Sequence, residues 1–82
     1  MDKKQVKLFF KIGDKEVFER GLNKVNLTEE EKNISIKLGK EWSEEMIAQE
    51  MNMSKRTIQR RKKKIYEKVF ETLNGWEELE EK

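Results

Sequence analysis

The 82-residue sequence contains no cysteine, no histidine and no proline. Without cysteine the chain cannot form a disulfide bond or a thiolate metal site. The absence of histidine removes the commonest zinc ligand and the commonest general base. Because no clear phosphate-binding loop is present either, we expect neither an enzyme nor a metal or cofactor site. Without proline, glycine is the main residue that can interrupt a helix.

Long apolar segments are also missing. No apolar run exceeds three residues, so the sequence offers neither a membrane span nor the core of a signal peptide. We therefore expect a soluble, cytoplasmic protein without membrane contact. Hydrophobic residues make up 34% of the chain and charged residues 44%, a balance that also occurs in disordered chains. Two Trp, one Tyr and four Phe at ordered spacings nevertheless favour a single folded domain over residues 1–82.

The formal net charge is only +2, but the charges are segregated along the chain. Residues 1–54 carry ten basic and eleven acidic side chains, whereas residues 55–68 carry eight basic and one acidic. Residues 69–82, which end in an acidic tail over 76–82, carry one basic and five acidic side chains. Since like charges in one segment repel each other until a polyanion neutralises them, this distribution indicates a polyanionic partner.

Apolar spacing in the first 26 residues favours helices. The apolar residues of 1–12 fit a helical period slightly better than the alternation of a strand. They are Val6, Leu8, Phe9, Phe10 and Ile12. A second helix is predicted over 14–24, with Asp14 as its N-cap and Gly21 as its weak point.

The next helix has a strong start signal. Thr28 and Glu31 have the spacing of a capping box, and Glu29 to Glu31 crowd the first turn, where the helix dipole favours negative charge. This explains the glutamates better than a catalytic or metal-binding carboxylate pair. Gly39 is predicted to end the helix at the C′ position. Its buried face is predicted to contain Leu27, Ile34 and Leu38.

Two further helices are predicted around a short turn. Ser43 caps a helix that stops at Asn52, which tolerates the left-handed conformation, and Ser54 caps the next helix. Ala48 allows the two backbones to approach, and apolar residues at Ile47, Met51, Met53 and Ile58 lie on both sides of the turn. We expect Trp42, Met46, Met51 and Met53 to pack together.

The last helix is predicted to run for about 20 residues from Ser54 to Asn74-Gly75, followed by an acidic tail that adds a last turn or stays loose. Its buried residues repeat at intervals of seven and four, at Ile58, Ile65, Val69 and Leu73. At about 100° per residue, Arg56, Arg60, Lys63 and Glu67 point outward when Ile58 faces the core. Lys62 points about 40° from the core direction, so it must extend along the core edge or leave a gap.

The outward side chains suit duplex DNA. Arg56, Gln59 and Arg60 can reach base edges in the major groove, because arginine suits guanine and glutamine suits adenine. Lysine side chains contact phosphates, which position a protein without reading the sequence. The lysines expected to do so are Lys55, Lys63, Lys64 and Lys68.

Residues 27–69 resemble the helix-turn-helix of LuxR-type regulators and of region four of bacterial sigma factors. The matching stretches are "LTEEEKNI" and "WSEEMIAQEMNMSKRTIQRRKKKIYEKV". The chain departs from these families at Asn52, where glycine is common, and at Arg61 and Lys62, where an apolar residue or histidine is often buried. The resemblance implies an all-α fold, promoter or operator DNA as the ligand and no cofactor. It places the DNA contacts at Ser54, Lys55, Arg56, Thr57, Gln59, Arg60 and Lys63.

The sequence therefore predicts an all-α, compact helical bundle with a helix-turn-helix core at about 27–73. Its predicted function is sequence-specific binding of double-stranded DNA that regulates transcription; its size and tail are similar to small phage-borne transcription regulators. The alternatives are a DNA-handling accessory, such as a phage packaging subunit or recombinase helper, and a protein-binding module that contacts RNA polymerase. A solvated helix face would leave the repulsion among the basic side chains unrelieved. A basic helix for membranes or calmodulin-like partners would leave the upstream helix-turn pattern a coincidence.

A homodimer is also expected. Several apolar residues extend beyond what one small core needs, and paired modules read paired half-sites on DNA. These residues are Val69, Phe70, Leu73 and Trp76.

Overall fold

A computed structural model describes residues 4–80 of the chain, with the side chains of residues 4–73. Over this range the backbone forms five helices and no strand, which confirms the all-α fold class. No helix in this range is long and apolar enough to cross a lipid bilayer. The helices are α1 (Lys4–Phe9), α2 (Lys15–Asn23), α3 (Glu29–Gly39), α4 (Glu44–Glu50) and α5 (Lys55–Glu80).

The helix starts lie where the capping residues predict them. Asp14, Thr28, Ser43 and Ser54 each accept a hydrogen bond from a backbone N–H two or three residues further on. At the start of α3 the capping box is complete, since the Glu31 carboxylate also accepts from the Thr28 N–H at 2.9 Å. Short-range capping thus fixes four of the five helix starts in this range.

One buried core joins all five helices. The N-terminal segment belongs to it, because α1 packs against α5 and α2 packs against α3. Ile58, Ile65 and Val69 are fully buried, as their spacing predicts. Among the side chains of residues 4–73, the buried apolar residues are Val6, Phe9, Phe10, Phe18, Leu22, Val25, Ile34, Ile47, Ala48, Ile58, Ile65 and Val69.

The predicted helix near the N-terminus is confirmed. Leu8 is 62% exposed while Phe9 and Phe10 are both buried, which is inconsistent with the alternation of a strand. The Phe10 ring stacks on Tyr66 of α5 with the ring centroids 5.0 Å apart. This contact attaches α1 to the middle of the long helix.

Two glycines make room for phenylalanine rings. A Cβ on Gly21 would lie 2.5 Å from Phe9 Cε1, and a Cβ on Gly39 would lie 2.7 Å from Phe18 Cε2. The predicted role of Gly39 as a left-handed helix stop is wrong: it is the last residue of α3, and Glu41 has the positive φ of 64°. Both glycines are therefore explained by the close approach of an aromatic ring.

The predicted end of α5 is also wrong. The backbone remains helical for 26 residues, through Asn74-Gly75 to Glu80. One glycine costs a helix only about 1 kcal/mol, which is too little to end it without a further stop signal. The side chains of the acidic tail, including Trp76, lie outside the described residues.

Two predictions about packing need correction. Met46 is 51% exposed and does not belong to the packing cluster, whereas Trp42, Met51 and Met53 are half-buried against the core. Val69 is fully buried within the domain's own core, so it cannot form a dimer interface. Phe70 and Leu73, also predicted for the dimer, are half-buried against the same core.

Candidate nucleic-acid interface

The turn between α4 and α5 has a defined conformation. Asn52 has φ of 55°, as its predicted left-handed role requires. Its N–H donates to the Gln49 carbonyl at 3.3 Å, and the Met53 N–H donates to the Ala48 carbonyl at 2.8 Å. These two bonds form a Schellman motif, which satisfies carbonyls at the end of α4. The helices before and after the turn are therefore separate elements.

The turn between α3 and α4 is built in the same way. The Glu41 N–H donates to the Leu38 carbonyl at 3.0 Å, and the Trp42 N–H donates to the Lys37 carbonyl at 3.1 Å. Lys37 Nζ lies 5.6 Å from the centroid of the Trp42 ring and covers it. The sequence does carry a signal for this turn. Trp42-Ser43, like Met53-Ser54 at the next turn, places a large apolar residue directly before a serine cap.

The start of α5 presents two hydroxyl groups. Ser54 Oγ accepts from the Thr57 N–H at 3.1 Å and lies 2.9 Å from Thr57 Oγ1. Ser54 is exposed and Thr57 is half-buried. Both groups lie at the end of α5 from which the cationic side chains extend.

Four cations form what we call the outward basic patch: Arg56, Arg60, Lys63 and Lys64. All four side chains are exposed, as predicted. None makes an ion pair with a carboxylate among the side chains of residues 4–73. Three of them follow one another along a single helical face, at intervals of four and three residues. Gln59 is exposed beside this face.

The patch covers only the first part of α5. Between Lys64 and residue 73, where the described side chains end, the exposed residues on this side are Glu67 and Glu71, so the sign of the charge changes. At 1.5 Å per residue, the segment from Lys55 to Lys64 is about 15 Å long. The cationic surface is therefore short and confined to the N-terminal turns of the helix.

On the side facing α3, the cations of α5 are held by short ion pairs. Arg61 Nε lies 2.6 Å from Glu30 Oε1, and Lys68 Nζ lies 2.7 Å from Glu31 Oε1. We call these four residues the α3 flank. Lys68 was expected to meet a phosphate, but its ammonium group is bound to a carboxylate that is almost completely buried, so a phosphate would have to displace Glu31.

Glu31 belongs both to the α3 flank and to the capping box at the start of α3. Burial raises the pKa of this carboxyl group, but hydrogen bonds from Lys68 and Thr28 lower it more, so the pKa lies below its ordinary value of 4.5. Glu31 is therefore ionised at neutral pH and serves both the capping box and the pair with Lys68.

On the side facing α4, the contacts are longer. Lys55 Nζ lies 3.4 Å from Glu45 Oε1, and Lys62 Nζ lies 3.8 Å from Glu44 Oε2. Gln59 Nε2 donates to Glu44 Oε1 at 3.5 Å, the limit of a hydrogen bond. We call the two lysine–glutamate pairs the α4 flank.

Lys62 extends along the core edge, which was one of its two predicted positions. Its Nζ lies 5.6 Å from the centroid of the Tyr66 ring, and its side chain is 32% exposed. Burial and the nearby Glu44 carboxylate raise the pKa of Tyr66. The Lys62 side chain thus lies beside the Tyr66 ring at the edge of the core.

Sequence reasoning assigned the four glutamates that pair with α5 only to their own helix starts, through the helix dipole and, for Glu31, the capping box. Glu30 and Glu31 begin α3, and Glu44 and Glu45 begin α4, so each acidic helix start faces the basic helix. Their pairing depends on tertiary packing and carries no local signal. Within the part of the chain that the structure describes, no three acidic side chains come together as a metal site requires.

Comparison with known proteins adds no family. No protein-family model matches the chain, and searches among curated proteins and solved structures find no match. The resemblance to LuxR-type regulators and sigma factor region four therefore stays a prediction. Any function has to be argued from the charges, contacts and exposure of the residues themselves.

Proposed function

We propose that this protein binds double-stranded DNA sequence-specifically and regulates transcription, with α4, the turn at Met51–Ser54 and α5 acting as a helix-turn-helix. The observation that carries this proposal is the outward basic patch. Its four cations stay exposed and unpaired among the described side chains, while the other four cations of residues 55–68 are paired with carboxylates of α3 and α4. Leaving four neighbouring like charges without counter-charges favours a polyanionic partner.

The dimensions of the patch suit a major groove. The groove is about 12 Å wide and admits one helix, whose N-terminal turns contact the bases. Arg56 and Arg60 lie one helical turn apart and can each donate two hydrogen bonds to a guanine, while Gln59 can pair with an adenine. Lys63 and Lys64, further along, are placed for phosphates on the groove walls.

The start of α5 supplies the remaining contacts. Ser54 and Thr57 bring hydroxyl groups to the N-terminal end of the helix, where phosphate oxygens accept hydrogen bonds. Lys55 lies beside them, and its contact with Glu45 is long and exposed enough for a phosphate to replace it. Two further features support the proposal: Arg56 and Arg60 are exposed, and α4 and α5 are not one continuous rod.

The first test is DNA binding as a function of salt. Duplexes are selected from a random pool with the wild-type protein, and the affinity for the selected duplex is measured at several salt concentrations. Four to six neutralised phosphates predict a slope of log K against log salt between about −3.5 and −5.5. An affinity that barely changes between low and moderate salt would contradict the proposal.

The second test separates base reading from phosphate binding. Arg60→Ala is expected to weaken binding to the selected duplex by about 1–3 kcal/mol and to relax its selectivity. The matched control is Arg20→Ala, which removes an exposed arginine of α2. Equal losses on selected and random duplexes would make Arg60 a phosphate contact.

The proposal keeps a homodimer, but with fewer apolar residues for its interface than the sequence predicts. With Val69 buried, the apolar residues left for it among the described side chains are Phe70 and Leu73, both half-buried. Paired helix-turn-helix modules bind half-sites about one helical turn apart. A palindrome among the selected duplexes would support the dimer, and a monomer in sedimentation at high micromolar concentration, with and without DNA, would remove it.

A further inference from the structure

Two carboxylates border the outward basic patch on the α4 side. Glu44 and Glu45 occupy the first turn of α4, and between them they contact three side chains of α5. Glu45 faces Lys55 at 3.4 Å, while Glu44 faces Lys62 at 3.8 Å and Gln59 at 3.5 Å. The cations on this side of the proposed DNA surface therefore already have an anionic neighbour.

We propose that Glu44 and Glu45 are specificity-determining residues: both compete with DNA phosphates for Lys55 and Lys62 on any duplex, and Glu44 also orients Gln59 for a base of the cognate site. This inference rests on the proposed function, because it concerns the same surface. It assigns the two glutamates a role beyond the helix dipole.

The lysine–glutamate contacts of the α4 flank have a geometry that allows a phosphate to displace the carboxylate. Both lysine–glutamate distances exceed 3 Å, and Glu45 is 73% exposed, so water and salt screen these pairs. Exposed ion pairs contribute little free energy. A phosphate can therefore take the place of either carboxylate, but part of the gain from the new contact is offset by the lost one.

Glu44 and Glu45 affect the two kinds of DNA in different ways. Binding to random DNA depends almost entirely on phosphate contacts, whereas a cognate site adds contacts to base edges. The competition for the two lysines lowers both affinities by a similar factor, so it leaves the preference for the cognate site unchanged. Glu44 also holds the Gln59 amide group, which limits its rotation before it meets a base, and this orientation favours the cognate site alone.

The experiment compares two double variants with the same change in net charge. Glu44→Gln with Glu45→Gln removes the competitor, and Glu16→Gln with Glu19→Gln removes two carboxylates from α2. Affinity for the selected duplex and for a random duplex is measured over a range of salt. The α4 variant is expected to bind random DNA about 2- to 30-fold more tightly. Its salt slope should be steeper by about 1 to 2, and its preference for the selected duplex should fall.

The outcomes separate this inference from the proposed function. Equal gains by the two double variants would show that net charge alone matters, which would overturn the inference and leave the proposed function standing. A wild-type protein that binds no duplex at low salt would overturn both. If the α4 variant does not fold, Glu45→Gln alone changes only an exposed side chain, and it should give about half the change in slope.

Discussion

The two sides of α5 hold their cations differently. On the α3 flank, the charged atoms of the two pairs lie 2.6 and 2.7 Å apart; the Glu31 side chain is only 6% exposed, whereas Arg61 and Glu30 are 44% and 38% exposed. On the α4 flank, the corresponding distances are 3.4 and 3.8 Å, and all four side chains are at least 28% exposed. The same residue types, on one helix and a few residues apart, thus meet two different environments.

This difference indicates which cations are available for a ligand. Removing one partner of a buried pair leaves a charge without compensation and is costly, whereas an exposed pair contributes little. The Lys68–Glu31 pair of the α3 flank therefore fixes α5 in the fold, and the α4 flank can release its lysines. A count of the charges in residues 55–68 does not make this distinction, because the distinction depends on how deeply each partner is buried.

Lys68→Met is the variant expected to have the largest effect on stability, and it tests whether the two flanks differ. It keeps the length of the side chain but leaves the buried Glu31 carboxylate without its cation, so we expect the free energy of unfolding to fall by about 1–3 kcal/mol. Denaturant unfolding measures the change. The matched variant on the other flank is Lys62→Met, which should change it by less than about 0.5 kcal/mol. Equal losses would mean that the two flanks do not differ.

The pH dependence of stability provides a second test of the same pair. Burial raises the pKa of Glu31, but hydrogen bonds from Lys68 and Thr28 bring it below 4.5. Its ionised form therefore stabilises the fold at neutral pH, and this stabilisation is lost as the pH falls below about 4.5, through the folded-state pKa. Since Lys68→Met removes the cation that lowers this pKa, the stability difference between wild type and variant should shrink towards about pH 3. A difference that stays constant over that range would contradict this account.

A smaller effect is expected for Glu31→Gln, because the two ends of the pair are not equivalent. Glutamine can still accept from the Thr28 N–H and keep the capping box, and Lys68, which is 30% exposed, can turn its charge to water. We expect a loss of about 0.5–1 kcal/mol in denaturant unfolding. A loss as large as that of Lys68→Met would show that the pair's attraction, and not the burial of the carboxylate, dominates.

The sequence predicted the parts of this fold that depend on neighbouring residues. Four caps, the left-handed Asn52 and the buried row at Ile58, Ile65 and Val69 follow from local hydrogen bonding and helical period. The exposure of Arg56 and Arg60 follows from the same period. Their role in DNA binding remains a prediction.

Features that depend on distant residues escaped sequence analysis. Gly39 looked like a helix stop, but its partner is the Phe18 ring of another helix. Lys68 looked like a phosphate contact until Glu31, 37 positions away, was found beside it. In each case the deciding contact comes from packing and not from the spacing of residues along the chain.

Lys55→Gln is expected to have the smallest effect on stability, and this variant distinguishes the two sides of α5 most clearly. Lys55 is exposed and its only described ion pair is long, so its replacement should change the free energy of unfolding by less than about 0.3 kcal/mol. The same change should lower the salt slope for DNA binding by up to about 0.9, because one phosphate contact is lost. Lys68→Met, measured under conditions in which the variant is fully folded, should leave that slope unchanged. If Lys68→Met lowered the slope and Lys55→Gln did not, the cations that meet DNA would lie on the α3 flank, and the division of α5 into a structural side and a ligand-binding side would be reversed.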